Sequence, residues 1–196
     1  MHFFRPLAHL TQNSLLLSSV YTQWHAEQFL WGKSLKLSTV HVQDVCSAIW
    51  HVANDASLVG RTFNVADSGD TDQGIICGML ANMFGIKVGY HGVLINNAAR
   101  LKMNYACEAA NEKHLEPWNN LTKAHATNTP LSPFLDREVL GDKHLCIDGS
   151  RIKDTGFVYS HPVLTEDALR AQTEYAIAQG IFPPVIGSAA GGESKS

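Results

Sequence analysis

The feature that most constrains the fold of this chain is a strand-like segment that runs directly into a helix and is followed by a second strand-like segment. Residues 35–42 (LKLSTVHV) alternate in polarity and are rich in β-branched residues, which predicts a strand. Asp44 then suits an N-cap or first-turn position. The apolar residues that recur at helical spacing and would face a core are Val45, Ile49, Val52 and Ala53. Residues 61–66 (RTFNVA) predict the second strand, so the order indicates an α/β fold.

The next segment predicts another helix and another strand. Thr71 or Asp72 provides the N-cap, and Gly85 ends the helix. The core residues of this helix are predicted to be Ile75, Ile76, Met79, Leu80 and Met83. Residues 86–90 (IKVGY) then predict a short strand.

Helices and loops are predicted to dominate from residue 91 onward. Residues 93–115 form a helical stretch that Pro117 closes, because proline removes a backbone donor from a helix interior. Residues 145–148 are short and strand-like, and a brief helix is predicted near residue 150. The last helix has the clearest boundaries, with Thr165 as its N-cap and Gly180 at its C-terminal end.

The change of pattern predicts four parts. Residues 1–34 fit no clear pattern, and residues 35–90 form the end of an α/β sheet. Residues 91–186 form a helical lobe, and residues 187–196, made of Gly, Ser, Ala and charged residues, form a disordered tail.

Composition argues against several classes of function. The net charge of -3, without a basic cluster, provides no attraction to nucleic acid or to an anionic membrane surface. No apolar run approaches the roughly 20 residues that span a bilayer, and residues 1–21 lack the cleavage site of a signal peptide. The 4 cysteines contain no C-x-x-C pair, which predicts buried thiols in a reducing compartment. We therefore expect a cytoplasmic protein that binds neither nucleic acid nor membrane.

Three segments carry a family resemblance. They are TVHVQDV at residues 39–45, TFNVAD at residues 62–67, and IDGSRI at residues 147–152 followed by TGF at residues 155–157 and by Pro162. In this order they resemble the C-terminal half of extended short-chain dehydrogenases/reductases, the NAD-dependent epimerase/dehydratase family.

The resemblance covers residues 36–182. It implies the C-terminal part of a Rossmann-type sheet joined to a mostly helical, substrate-binding lobe. It also implies a parent enzyme that uses NAD or NADP and acts on a sugar nucleotide or on a small carbonyl or hydroxyl substrate.

Two features that this family's chemistry needs are missing from the sequence. None of the 5 tyrosines is followed four residues later by lysine, so the Tyr-x-x-x-Lys pair is absent. Gly85, Gly89 and Gly92 surround a strand rather than linking a strand to a helix, which is the wrong order for a pyrophosphate turn. We therefore expect no catalytic and no cofactor-binding residues here. The chain is interpreted as a truncated oxidoreductase with the nucleotide-binding half missing, inactive alone and without tight binding of NAD or NADP.

A second hypothesis belongs to a different class. The chain could be a non-enzymatic binding or scaffold module derived from the substrate lobe. A face that once met a missing half would be apolar and exposed, so the first hypothesis predicts homodimers or other association through it.

Four residues are candidates for the substrate pocket of the parent. His41 and Asp44 lie at a strand end that faces the substrate cleft in the family, and Arg61 could pair with a phosphate of a sugar nucleotide. Asn64 lies at the mouth of the second strand–helix turn. Each has a structural alternative: backbone hydrogen bonding for His41, helix capping for Asp44, solvation for Arg61 and turn formation for Asn64.

Other reactive residue types are assigned structural roles. The 10 histidines include no H-E-x-x-H or H-x-x-x-H pattern, so no metal site is predicted. Cys46, near a helix N-terminus, is predicted to be buried on the inner side of that helix. The tryptophans, predicted to pack in the core or the lobe, are Trp24, Trp31, Trp50 and Trp118.

Overall fold

The computed structural model describes residues 26–125 and 127–187. The predictions for Trp24, for a signal peptide and for the tail from residue 188 lie outside the described residues. The described part is mixed α/β and mostly helical. Its elements are β1 (Ala26–Phe29), α1 (Val42–Ala53), α2 (Gln73–Phe84), β2 (Lys87–Tyr90), α3 (Val93–Leu101), α4 (Met103–Ala124) and α5 (Glu166–Ala178), with short 3-10 turns at Ala56–Leu58 and Lys153–Thr155.

β1 and β2 form a two-stranded parallel sheet, with Ala26 opposite Lys87 and Phe29 opposite Tyr90. The strand predicted at residues 86–90 is therefore confirmed. The polypeptide between the two strands includes α1 and α2, as a parallel pair requires a long crossover connection.

The strands predicted at residues 35–42 and 61–66 are not formed. Lys36 makes an isolated antiparallel bridge to Asp72, and Leu37 makes an isolated parallel bridge to Leu145. Further along, the backbone N–H of Asp67 donates to the carbonyl of Thr39 at 2.8 Å. Because the extended chain changes partner every one or two residues, no continuous ladder develops. Alternation in sequence predicts an extended backbone but not the partner that would make it a strand.

The structure distinguishes the two positions predicted for Asp44 at the start of α1, the N-cap and the first turn. His41 is the N-cap, and its Nδ1 accepts a hydrogen bond from the backbone N–H of Gln43 at 3.2 Å. Asp44 lies in the first turn instead, where its side chain is completely buried. The first-turn position predicted for Asp44 is therefore confirmed, and the N-cap position is not.

The outer face of α1 contradicts the predicted burial. Ile49 and Trp50 are 64% and 73% exposed, and Cys46 is also exposed. The residues of α1 that are buried instead are Asp44 and Ala48. The buried face of the helix is therefore not the face that the spacing of its apolar residues predicts. The apolar residues of α1 left in solvent, which we call the α1 outer face, are Val42, Cys46, Ile49, Trp50 and Ala53.

α2 forms as predicted. The side chain of Asp72 accepts from the backbone N–H of Ile75 at 2.9 Å, and Gly85 ends the helix with a φ of 65°. Such a positive φ favours glycine because it has no Cβ. Ile75 alone among the predicted core residues is exposed. The main core is formed by the buried residues Leu37, Ile76, Leu80, Met83, Phe84, Ile86, Trp118, Leu121, Leu135, Leu169 and Phe182.

α4 continues through Pro117 to Ala124, so the prediction that Pro117 closes this helix is wrong. An interior proline costs a helix about 3 kcal/mol. Trp118 and Leu121, directly after the proline, are buried in the main core. Their packing offsets the loss, which is a tertiary effect that a local rule does not include.

α5 is confirmed, with Thr165 as N-cap and Leu169 and Thr173 buried. The four cysteines all lie in the described residues and form no disulfide. Cys77 and Cys107 are buried as predicted, whereas Cys146 is exposed like the thiol on α1. No helix of the described residues is both long and apolar enough to cross a bilayer.

Candidate functional site

Asp44 joins the start of α1 to a loop more than one hundred residues later. Its Oδ1 accepts from the backbone N–H of Ser160 at 2.8 Å, and its Oδ2 accepts from the backbone N–H of His161 at 2.9 Å. A carboxylate that receives two backbone donors forms strong, charge-assisted hydrogen bonds. Both oxygens of Asp44 are therefore engaged by the protein, which supports its structural role over direct contact with a substrate.

His41 lies beside this anchor and stacks on His161. The centroids of the two imidazole rings are 3.7 Å apart, with an interplanar angle of 19°. Nδ1 of His161 lies 3.5 Å from Oδ2 of Asp44, so a protonated His161 would be attracted to the buried carboxylate. Nδ1 of His41 is already used to accept at the helix N-terminus. The two rings and the carboxylate form a compact polar group, partly open to solvent, that we call the histidine pair site.

Tyr159 ties the same loop to the two other segments of the family resemblance. Its hydroxyl donates to the carbonyl of Gly149 at 3.1 Å and accepts from the backbone N–H of Ala66 at 3.3 Å. A Cβ on Gly149 would collide with the backbone of Ala66, so the close approach needs glycine. Burial raises the pKa of Tyr159 above its ordinary value. A buried phenol that is hydrogen-bonded on both sides holds these segments together.

A network of hydroxyl and carboxylate groups lies next to this region, at the turn that follows residue 66. The hydroxyl of Thr39 donates to Asp67 at 2.5 Å and lies 3.2 Å from the hydroxyl of Thr71. Asp67 also accepts from the backbone N–H of Gly69 at 2.9 Å. The network fixes the turn that follows residue 66, which is the turn chemistry expected there from sequence.

Arg61 and Asn64 are not joined to the histidine pair site by any hydrogen bond or ion pair among the described residues. Arg61 is exposed, and its guanidinium lies 5.0 Å from the centroid of the Phe63 ring. Arg151 lies 5.7 Å from the same ring and donates to the carbonyl of Thr62 at 3.2 Å. Of the four predicted pocket residues, His41 and Asp44 thus lie together in the histidine pair site. Arg61 and Asn64 are not connected to that site.

The two arginines beside Phe63 are the charged part of this region. Planar guanidinium groups suit phosphate recognition. Arg151 was not selected from the sequence, although its position inside the IDGSRI segment is a usable signal. His161 was also missed, since only Pro162 beside it entered the pattern.

No group of three or more His, Cys, Asp or Glu residues that could hold a metal ion occurs in residues 26–125 and 127–187. In the histidine pair site, both oxygens of the carboxylate accept from backbone N–H groups, and Nδ1 of His41 accepts from the backbone N–H of Gln43. The remaining polar atoms of the site belong to the ring of His161 and to Nε2 of His41.

Comparison of the chain with known protein families, with curated proteins and with solved structures gave no match.

Proposed function

We propose that this chain is the substrate-side portion of an NAD(P)-dependent oxidoreductase of the extended short-chain dehydrogenase/reductase kind. The nucleotide-binding portion, with its Tyr-x-x-x-Lys pair and its NAD or NADP, would be supplied by sequence outside these 196 residues. The parent would act on a sugar nucleotide or on a small carbonyl or hydroxyl compound. The chain alone would bind substrate weakly, bind neither NAD nor NADP tightly, and catalyse nothing.

One observation supports this proposal most directly. The three segments that carry the resemblance are distant in sequence, and they pack on one another through specific polar contacts. Asp44 of the first segment holds the backbone at residues 160–161, and Tyr159 links Ala66 of the second segment to Gly149 of the third.

The α1 outer face supports the same proposal. In the proposed parent, this helix covers one face of a larger sheet. In this chain Ile49 and Trp50 lie on the same side of the helix, and both are exposed to solvent. An exposed apolar stripe of this kind marks a contact surface. We infer that the nucleotide-binding portion covers it in the parent, and that copies of the isolated chain associate through it.

The proposal includes a small-molecule substrate, no nucleic acid partner and a cytoplasmic location. The exposed thiols of Cys46 and Cys146 suit a reducing compartment, where they would stay reduced. Arg61 and Arg151 are the residues we assign to phosphate binding if the substrate is a sugar nucleotide.

The alternative is a binding or scaffold module, and solution behaviour separates the two hypotheses. The proposal predicts that the purified chain self-associates in sedimentation velocity and binds the neutral apolar dye Nile red. Changing Ile49 and Trp50 together to serine should reduce dye binding by about half or more, because most of the exposed stripe is lost. Val59→Ser is the matched control, since Val59 is 83% exposed but lies outside α1.

A wild-type chain that sediments as one species at all concentrations and leaves Nile red dark would contradict the proposal. It would support the scaffold hypothesis, because a complete module is not expected to self-associate through an exposed apolar surface.

A further inference from the structure

A separate cavity lies in the helical lobe. Its volume is about 440 Å³, and it is enclosed by the end of β1, the residue after β2, α3, the first half of α4 and the loop around Leu135 and Leu140. Small-molecule sites typically occupy about 300–1,000 Å³. The cavity shares no lining residue with the histidine pair site or with the two arginines beside Phe63.

The walls of this cavity are mostly apolar. Five of the lining residues are alanines, at positions 98, 99, 106, 109 and 110. Their short side chains leave open the space between α3 and α4 that larger side chains would fill. Phe29, Leu30 and Ile95 add larger apolar surfaces. An apolar ligand body would lose contact with water on entering and would be stabilised there.

The polar side chains that line the cavity differ in whether they carry a charge. Lys102 and Lys113 line it and are exposed to solvent, and no aspartate or glutamate is among the described residues that line it. His114 is buried in the wall, and burial lowers the pKa of His114 to about 4. Its imidazole is therefore neutral near neutral pH, and Lys102 and Lys113 supply positive charge at the cavity. Tyr105 adds an exposed hydroxyl group.

We propose that this cavity binds a small molecule with an apolar body and one anionic group, such as a medium-chain carboxylate. The body lies against the alanine-lined wall between α3 and α4, and the anion is attracted to Lys102 and Lys113. The charge at the rim carries the choice of ligand: the described charged residues that line the cavity are Lys102 and Lys113, which attract an anion and repel a cationic amphiphile. This inference is independent of the function proposed above.

Isothermal titration of the full chain with octanoate, below its micelle concentration, tests the proposal. We expect saturable binding near one equivalent. Octanol should bind more weakly, and octyltrimethylammonium should bind more weakly still. Lys102→Gln with Lys113→Gln should weaken octanoate roughly threefold to tenfold, as expected for two exposed ionic contacts, and should bring it close to octanol.

Ala109→Phe should abolish or strongly reduce binding of both octanoate and octanol, because an exposed alanine at the cavity wall is replaced by a ring that occupies the space. Lys87→Gln is the charge-matched control, since Lys87 is exposed and lies outside the cavity. The serine pair on the α1 outer face controls for binding there. Both controls should bind octanoate as the wild type does.

Three results would overturn the proposal: no saturable octanoate binding by the wild type, octanol binding as tightly as octanoate, or octanoate binding that survives both Ala109→Phe and the double lysine change. Thermal melting of each variant confirms that it is folded before its titration is interpreted.

Discussion

Asp44→Ala is expected to lower the free energy of unfolding by about 2–4 kcal/mol. The change removes a completely buried carboxylate that accepts from the backbone N–H groups of Ser160 and His161. Both donors would be left without their acceptor in a partly dry environment, and the loop that carries Tyr159 would lose its anchor. Urea denaturation followed by circular dichroism measures the change.

Two further variants make this result specific. Asp44→Asn keeps the shape but turns an amide nitrogen toward one of the two donors, so it should be destabilised nearly as much as the alanine variant. Asp154→Ala changes an exposed aspartate on the neighbouring 3-10 turn and should stay within about 0.5 kcal/mol of wild type. An Asp44→Ala protein as stable as the Asp154→Ala protein would show that the contact between the first and third segments contributes little to the fold.

The second large effect concerns pH. Burial, with a smaller contribution from the charge of Lys113, lowers the pKa of His114 from 6.5 to about 4. Above pH 6.5, His114 is neutral in both folded and unfolded chains and contributes no pH dependence. As the pH falls from 6.5 toward 4, the unfolded chain binds a proton that the folded chain excludes. Folding stability from this group is therefore lost across that window, by about 3 kcal/mol in total, and is constant below it.

His114→Gln removes this titration. Between about pH 7 and pH 4, the variant should lose about 3 kcal/mol less of its free energy of unfolding than the wild type does. The quantity to compare is the difference in the free energy of unfolding between the two proteins at each pH, because carboxylates and other histidines also titrate in this range. His125→Gln, at an exposed position, should follow the wild-type curve. Identical curves for the wild type and His114→Gln would mean that His114 accepts a proton in the folded state.

Helix boundaries could be predicted where the signal is local. Asp72, Gly85 and Thr165 occupy the capping positions predicted for them, because a cap depends on a few neighbouring backbone groups. The boundary at Pro117 was wrong because it depends on Trp118 and Leu121 reaching the main core. Local rules describe the cost of an interior proline but not the tertiary packing that offsets it.

Whether a segment forms a strand, and which face of a helix is buried, depended on contacts with distant residues that the sequence does not identify. Residues 35–42 have the composition of a strand, yet they exchange partners between Asp72 and Leu145 and stay outside a ladder. On α1, periodicity predicted that Ile49 faces inward, whereas Ala48 is buried among Ile152, Phe157 and Tyr159 instead. A strand or a face is selected by what packs against it.

The candidate site was only partly accessible to sequence reasoning. Asp44 and His41 were identified from a motif, but His161 reaches them from far along the chain and had no local signal. The lobe cavity is assembled from β1, α3, α4 and a later loop. In sequence it shows only as an alanine-rich face with a lysine, which is also the pattern of an ordinary surface helix.

We propose that this chain carries substrate-side structure and that hydride chemistry belongs to another portion of its proposed parent. The most direct test titrates the purified chain with NADH and with NADPH and follows nicotinamide fluorescence, with an intact extended short-chain dehydrogenase measured alongside. We predict no saturable change for this chain and clear saturation for the intact enzyme. Saturable binding of either dinucleotide, or turnover that consumes it, would contradict the account, because the chain would then hold a nucleotide site that its sequence does not reveal.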